Sequence, residues 1–211
     1  MRKVFADCRT WVYQARLWDA DYNLLSSERI AVTATGRAWK PQPDLQDEIV
    51  IQYQLGPALG NKLRPHMINP RLDSWTSKEH TGVIENDQYI TMHPFRENFY
   101  AFTEVAGFPV VHLPVRVGQR WEDELRIFDG WGDWSNMDVT TAYEVVAREE
   151  VTLPYGQLPL WHLRAVTDIP LGRTVHDFWF HEQYGFVKFV IKNYAGQLLV
   201  IELEELTDGA D

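Results

Sequence analysis

Three side chains near the middle of the chain, Glu85, His93 and Arg96, are of types that can work together chemically. A histidine beside a carboxylate can shuttle protons, and an arginine can hold an anionic substrate. The three bracket an extended stretch that feeds a helical pattern, so they can reach the rim of a common cavity. A plainer use exists for each. His93 precedes a proline and can cap the chain where a helix starts, and Arg96 can pair with a nearby carboxylate. Spacing defines no nucleophile or acid–base partner for them, so as catalytic residues they are weak candidates.

Aromatic residues form the other groups of interest. Phe95, Phe99 and Phe102 fall on one helical face, and with Trp121 they are expected to wall a ligand cavity, since pockets are mostly apolar with a few polar groups. Trp131 and Trp134 sit in an Asp-Gly-Trp-Gly-Asp-Trp loop beginning at Asp129. Exposed there, the two rings would stack a sugar or a cation. A loop of this composition also commonly folds its rings back over the end of a sheet.

No metal is expected. His176 and His181 are five apart on an extended segment and therefore point to opposite faces. The chain has no His-Glu-x-x-His, paired cysteines or carboxylate facial triad. No cofactor is expected either, because glycine-rich phosphate loops are absent, and so is the Gly-x-Ser-x-Gly elbow of serine hydrolases. Cys8 is the single cysteine, which excludes an intramolecular disulfide, and close to the amino terminus, with no nearby basic group of note, it makes a poor nucleophile.

The elements that must position these groups are nearly all extended. Residues 11–18 and 25–35 alternate large with small or polar side chains around a turn at Asp19, which predicts a first hairpin. Residues 48–55 add a strand with Ile49, Ile51 and Tyr53 on one face. Residues 56–80 read as an irregular excursion, and 81–92 as two strands broken at Glu85-Asn86-Asp87. Pro94 suits a first helical position and Gly107 can end the element, so one short helix is expected between them. From Val110 onward the pattern is strand and turn, with extended runs at 121–128, 139–147, 158–166, 174–180, 186–191 and 198–203. In the last two, Leu199, Ile201 and Leu203 form a clean inner face, and simple alternation puts Phe186 opposite Val187, Phe189 and Ile191. One face is uniformly apolar and the other patchy. This predicts a mainly β single domain over residues 1–211: a strongly curved antiparallel sheet, or half-barrel, with one short helix packed on its concave side.

Charge narrows the partners. Thirty acidic against twenty basic residues give a net charge of −10, which repels phosphate backbones and argues against nucleic acid. No apolar run approaches the ~20 residues of a membrane-spanning helix. The basic start lacks the apolar stretch of a signal peptide, so the sequence as written predicts a cytoplasmic protein, and a removed leader would make it periplasmic or exported.

Two stretches carry a family resemblance. Val151-Thr152-Leu153-Pro154-Tyr155-Gly156-Gln157 leads into a strand, and residues 177–203 read DFWFHEQYGFVKFVIKNYAGQLLVIEL. Together they resemble the carboxy-terminal half of uncharacterised bacterial proteins, often exported. Thr81-Gly82-Val83-Ile84-Glu85-Asn86 with His93-Pro94-Phe95-Arg96 looks like the middle of related Bacteroidetes-type sequences. The resemblance implies a curved half-barrel of the kind shared by LolA/LolB lipoprotein carriers and the pigment-pathway enzyme VioE. Carriers of that plan use the concavity for acyl chains, whereas the enzyme uses it for catalysis.

These readings favour a non-catalytic binding protein holding an apolar or amphipathic small ligand in the half-barrel. The alternatives are a structural or protein-interaction domain with a filled core, and a small cofactor-free enzyme of VioE-like plan. Oligomeric state stays open.

Overall fold

Alternation drives the architecture. In the first strand, β1 (Thr10–Trp18), Trp11, Tyr13, Ala15 and Leu17 are buried, while the residues between them stay partly exposed. The same period runs through β2 (Leu24–Ala38), β3 (Asp47–Tyr53), β4 (Lys78–Glu85), β5 (Tyr89–Met92) and β6 (Val110–His112). β7 (Arg120–Ile127) is exposed along most of its length, and alternation resumes in β8 (Met137–Leu153), β9 (Gly156–Ile169), β10 (Gly172–His181), β11 (Gly185–Lys192) and β12 (Leu198–Thr207). The structure, a computed structural model, describes residues 3–56, 60, 64–68, 75–129 and 132–209.

All twelve strands form one antiparallel sheet in the order β6-β5-β4-β3-β2-β1-β12-β11-β10-β9-β8-β7. The first and last strands of the chain therefore pair at its centre, Thr10 opposite Thr207 and Trp18 opposite Leu198. Each half meanders outward from that seam. Consecutive strands β6 and β7 end up at opposite edges. The sheet is not closed by hydrogen bonds, as the expected half-barrel requires.

Bulges set the curvature. One extra residue enters at Leu25, Val146, Val187 and Glu204, and each bends its strand and increases the local twist. The bulge at Val187 corrects the alternation read from sequence: Phe186 is not on the outer face. It is 1% exposed, and its ring meets Phe178, Phe180 and Phe189 inside.

The expected helix is also corrected. It is a 3-10 segment, Asn98–Val105, and Pro94 and Phe95 precede it rather than begin it. Three residues per turn bring Phe99, Phe102 and Val105 into one ridge, with Tyr100 and Thr103 in the next. The segment lies across the inner face of the sheet, and every residue in it is buried. Phe95 packs edge-on to Tyr13 and Phe189, and Phe99 packs edge-on to Trp75. Gly107 follows at φ +75°, as the predicted end of the element. A Cβ there would stand 2.6 Å from Thr141 Cγ2, so only glycine lets the chain pass this close to β8 and β9.

Among the described residues, no helix is long and apolar enough to cross a membrane.

A candidate ligand cleft between the sheet ends

The sheet rolls past itself. Ile90, Met92 and Val111 point into the core, so Tyr89, Thr91, Val110 and His112 occupy the other face of β5 and β6. On β7 and β8 the inward set is Trp121, Asp123 and Leu125 opposite Tyr143, Thr141 and Val139. The outer face of one sheet end thus lies against the inner face of the other, and a cleft of about 420 Å³ separates them.

Rings hold the cleft's narrow end. The His112 ring lies 4.6 Å from that of Trp121, which in turn stacks on Tyr143 at 5.1 Å and 5°. Tyr89 continues the row at 6.2 Å from His112. Side chains thus join the two edges where no ladder does. The Tyr143 hydroxyl donates to the Phe108 carbonyl at 3.0 Å, which fixes the segment after Gly107 as the floor. Val110, Leu125 and Val139 supply apolar wall, and Glu104, Asp123 and Glu124 supply carboxylates. Asp123 is exposed at the mouth, yet burial of its surroundings raises its carboxyl above the usual range, with His112 opposing the shift.

Glu85, His93 and Arg96 are not brought together. Glu85 accepts hydrogen bonds from the Val4 and Phe5 amides at 2.6 and 2.9 Å and so ties down the amino-terminal segment. His93 is wedged between Trp39 and Phe108, at 5.3 and 5.2 Å. Burial, reinforced by the charge of Arg96, pushes its pKa down to about 4. Arg96 donates to Glu79 at 2.7 Å and lies 3.6 Å from Glu104. Glu79 also accepts from the Tyr53 hydroxyl, and burial lifts its carboxyl to about 7. Beside it, Glu28 accepts from Tyr100 and from the Gln54 and Leu55 amides. This is a closed polar network that anchors the 3-10 segment to β2, β3 and β4.

The expected cavity residues are placed differently from expectation. Phe95, Phe99 and Phe102 are 3%, 3% and 1% exposed and serve as packing. Phe95 borders only a void of about 10 Å³ beside His176, too small for more than one water. Trp121 does not line the cleft; it stacks on Tyr143, which does. Trp134 is not a surface ring: it is fully buried, and its Nε1–H donates to the Tyr194 hydroxyl at 2.9 Å. Trp131 lies outside the described residues. His176 points inward and donates from Nδ1 to the Gly107 carbonyl, whereas His181 stacks on Tyr184. Among the described residues no three His, Cys, Asp or Glu side chains gather as a metal site.

Sequence reading missed Tyr89, His112, Asp123 and Leu125 as cleft residues. One local signal was available. Trp121-x-Asp123-x-Leu125-x-Ile127 puts an acid in register with three apolar inward residues, and a charge at such a position calls for a reason.

No protein-family model matches the chain, and no curated protein matches it. Solved structures do. A lipoprotein candidate from Parabacteroides distasonis is 12% identical, with 96% of each chain covered and a TM-score of 0.53. An exported-protein candidate with a YmcC-like fold from Bacteroides fragilis is 13% identical over 96% of this chain and 97% of its own, with a TM-score of 0.49. The hypothetical lipoprotein YmcC from Escherichia coli is 9% identical over 96% and 89%, with a TM-score of 0.39. At these identities the likeness concerns the fold alone, and it is carried by the Parabacteroides structure.

Proposed function

We propose that this protein is a non-catalytic binding protein that takes a small amphipathic ligand in the cleft between its overlapping sheet ends. The observation that carries this reading is the cleft itself. Its volume of about 420 Å³ falls within the roughly 300–1,000 Å³ of small-molecule sites, and its apolar walls carry a few polar groups. The plan parallels LolA/LolB-type carriers, except that the ligand space lies at the sheet edges and the concavity under the 3-10 segment is filled. Binding is favoured over catalysis because the charged candidates are engaged elsewhere, Glu85 by backbone amides and Arg96 by two carboxylates.

A second reading rests on β7. Its outer edge is eight residues long and unpaired among the described residues, so a partner's strand has a place to add.

Native mass spectrometry of the freshly purified protein, followed by organic extraction, tests the first reading. A discrete small bound mass, lost on denaturation and diminished in Leu125→Trp, is the expected result. A bare protein that also refuses added single-chain amphiphiles contradicts it.

A further inference from the structure

The charges around the cleft bear on the ligand's head group, an inference that rests on the binding reading above. Both arginines of β7 are neutralised across the strand, Arg120 by Glu144 at 2.9 Å and Arg126 by Asp138 at 2.8 Å. Glu122, Asp123 and Glu124, which lie between them, make no ion pair among the described residues. Of the three, Asp123 is on the inward face of β7, and it and Glu124 border the cleft. On the floor, the buried carboxylate of Glu104 lies 3.6 Å from the Arg96 guanidinium, which also pairs with Glu79. The cleft is therefore bounded by carboxylates at mouth and floor, with Val110, Leu125 and Val139 between them. Among the described residues, His112, on the facing wall, is the one basic side chain that lines it. An anionic head would meet like charge while losing water, and a neutral head would gain no charge-assisted bond from Asp123.

We propose that the cleft selects amphiphiles with a cationic head, the apolar body lying against Val110, Leu125 and Val139 and the ammonium group meeting Asp123. The ammonium gains a charge-assisted hydrogen bond at the mouth, where solvent keeps its contribution moderate. Selectivity over anions then comes as much from repulsion as from that bond.

Calorimetric titration with decylammonium, decanoate and decanol tests this, each below its micelle concentration in 150 mM salt. Decylammonium is expected to bind at least about tenfold more tightly than decanoate. Asp123→Asn is expected to cost decylammonium about three- to tenfold while leaving decanol unchanged. Leu125→Trp weakens both. Raising the salt to about 1 M, which needs no variant, weakens decylammonium relative to decanol. Equal affinity for the two charged probes, or a decylammonium preference that survives both Asp123→Asn and high salt, overturns the cationic-head inference and leaves the binding reading standing. Binding of all three probes that ignores Leu125→Trp puts the chain elsewhere and overturns both.

Discussion

Two spaces lie side by side on the inner face of this sheet, and they are treated in opposite ways. Beneath the 3-10 segment, Phe95, Phe99 and Phe102 fill the concavity, and the polar groups close on one another: Glu28 with Tyr100, and Glu79 with Tyr53 and Arg96. Beyond Gly107 the sheet ends overlap and meet through the rings of His112, Trp121 and Tyr143, and Asp123 and Glu124 beside the gap make no ion pair among the described residues. The first space is solved internally, and the second is the one we propose a ligand fills. A cluster of aromatic residues marks where a protein has filled itself. Charge without a partner beside an apolar wall is the better marker of where it has not.

Truncation should separate the two regions most strongly. Phe102→Ala removes a fully buried ring and is expected to cost about 3–5 kcal/mol in a denaturant titration. Leu125→Ala, 37% exposed on the wall of the cleft, is expected to cost under about 1 kcal/mol. Comparable losses at both positions would mean that the cleft is core after all.

Arg96→Met probes the closed network. It leaves Glu79 and Glu104 buried beside each other without their shared cation, and a loss of about 2–3 kcal/mol at neutral pH is expected. An unchanged midpoint would show that the network does not anchor the 3-10 segment.

The smallest effect is in pH. His93 and His176 are held down to about 4 from 6.5, both chiefly by burial. Each therefore contributes stability that is present above about 6.5 and lost as pH falls toward 4. Glu79, raised from 4.5 to about 7, has the opposite sign: its contribution is present below 4.5 and lost as pH rises to 7. Two terms oppose one, so Tm should decline modestly from pH 6.5 to 4. Glu79→Gln should steepen that decline, and a flat profile in both proteins would contradict the assignment.

Sequence made the strands legible because alternation is a local property, and the turn at Asp19 and the stop at Gly107 are written in single residues. Phe186 was misread because the Val187 bulge inserts a residue that no composition announces. Phe95 to Phe102 carry α-helical spacing, yet packing across the sheet winds the segment as 3-10, so neighbours outside the segment decided its form. Glu85 answers to Val4 and Phe5, eighty residues away in the chain. The cleft was the hardest to see. Its walls come from β5, β6, β7 and β8, and they meet only because bulges elsewhere curl the sheet far enough to overlap its ends.

The most direct test of the central claim is to map amide and methyl chemical shifts during titration with decylammonium below its micelle concentration. Saturable changes are expected to concentrate at Val110, His112, Asp123, Leu125 and Val139, with Phe99 and Phe102 nearly silent. Changes centred on residues 95–102 with a quiet cleft would contradict that claim.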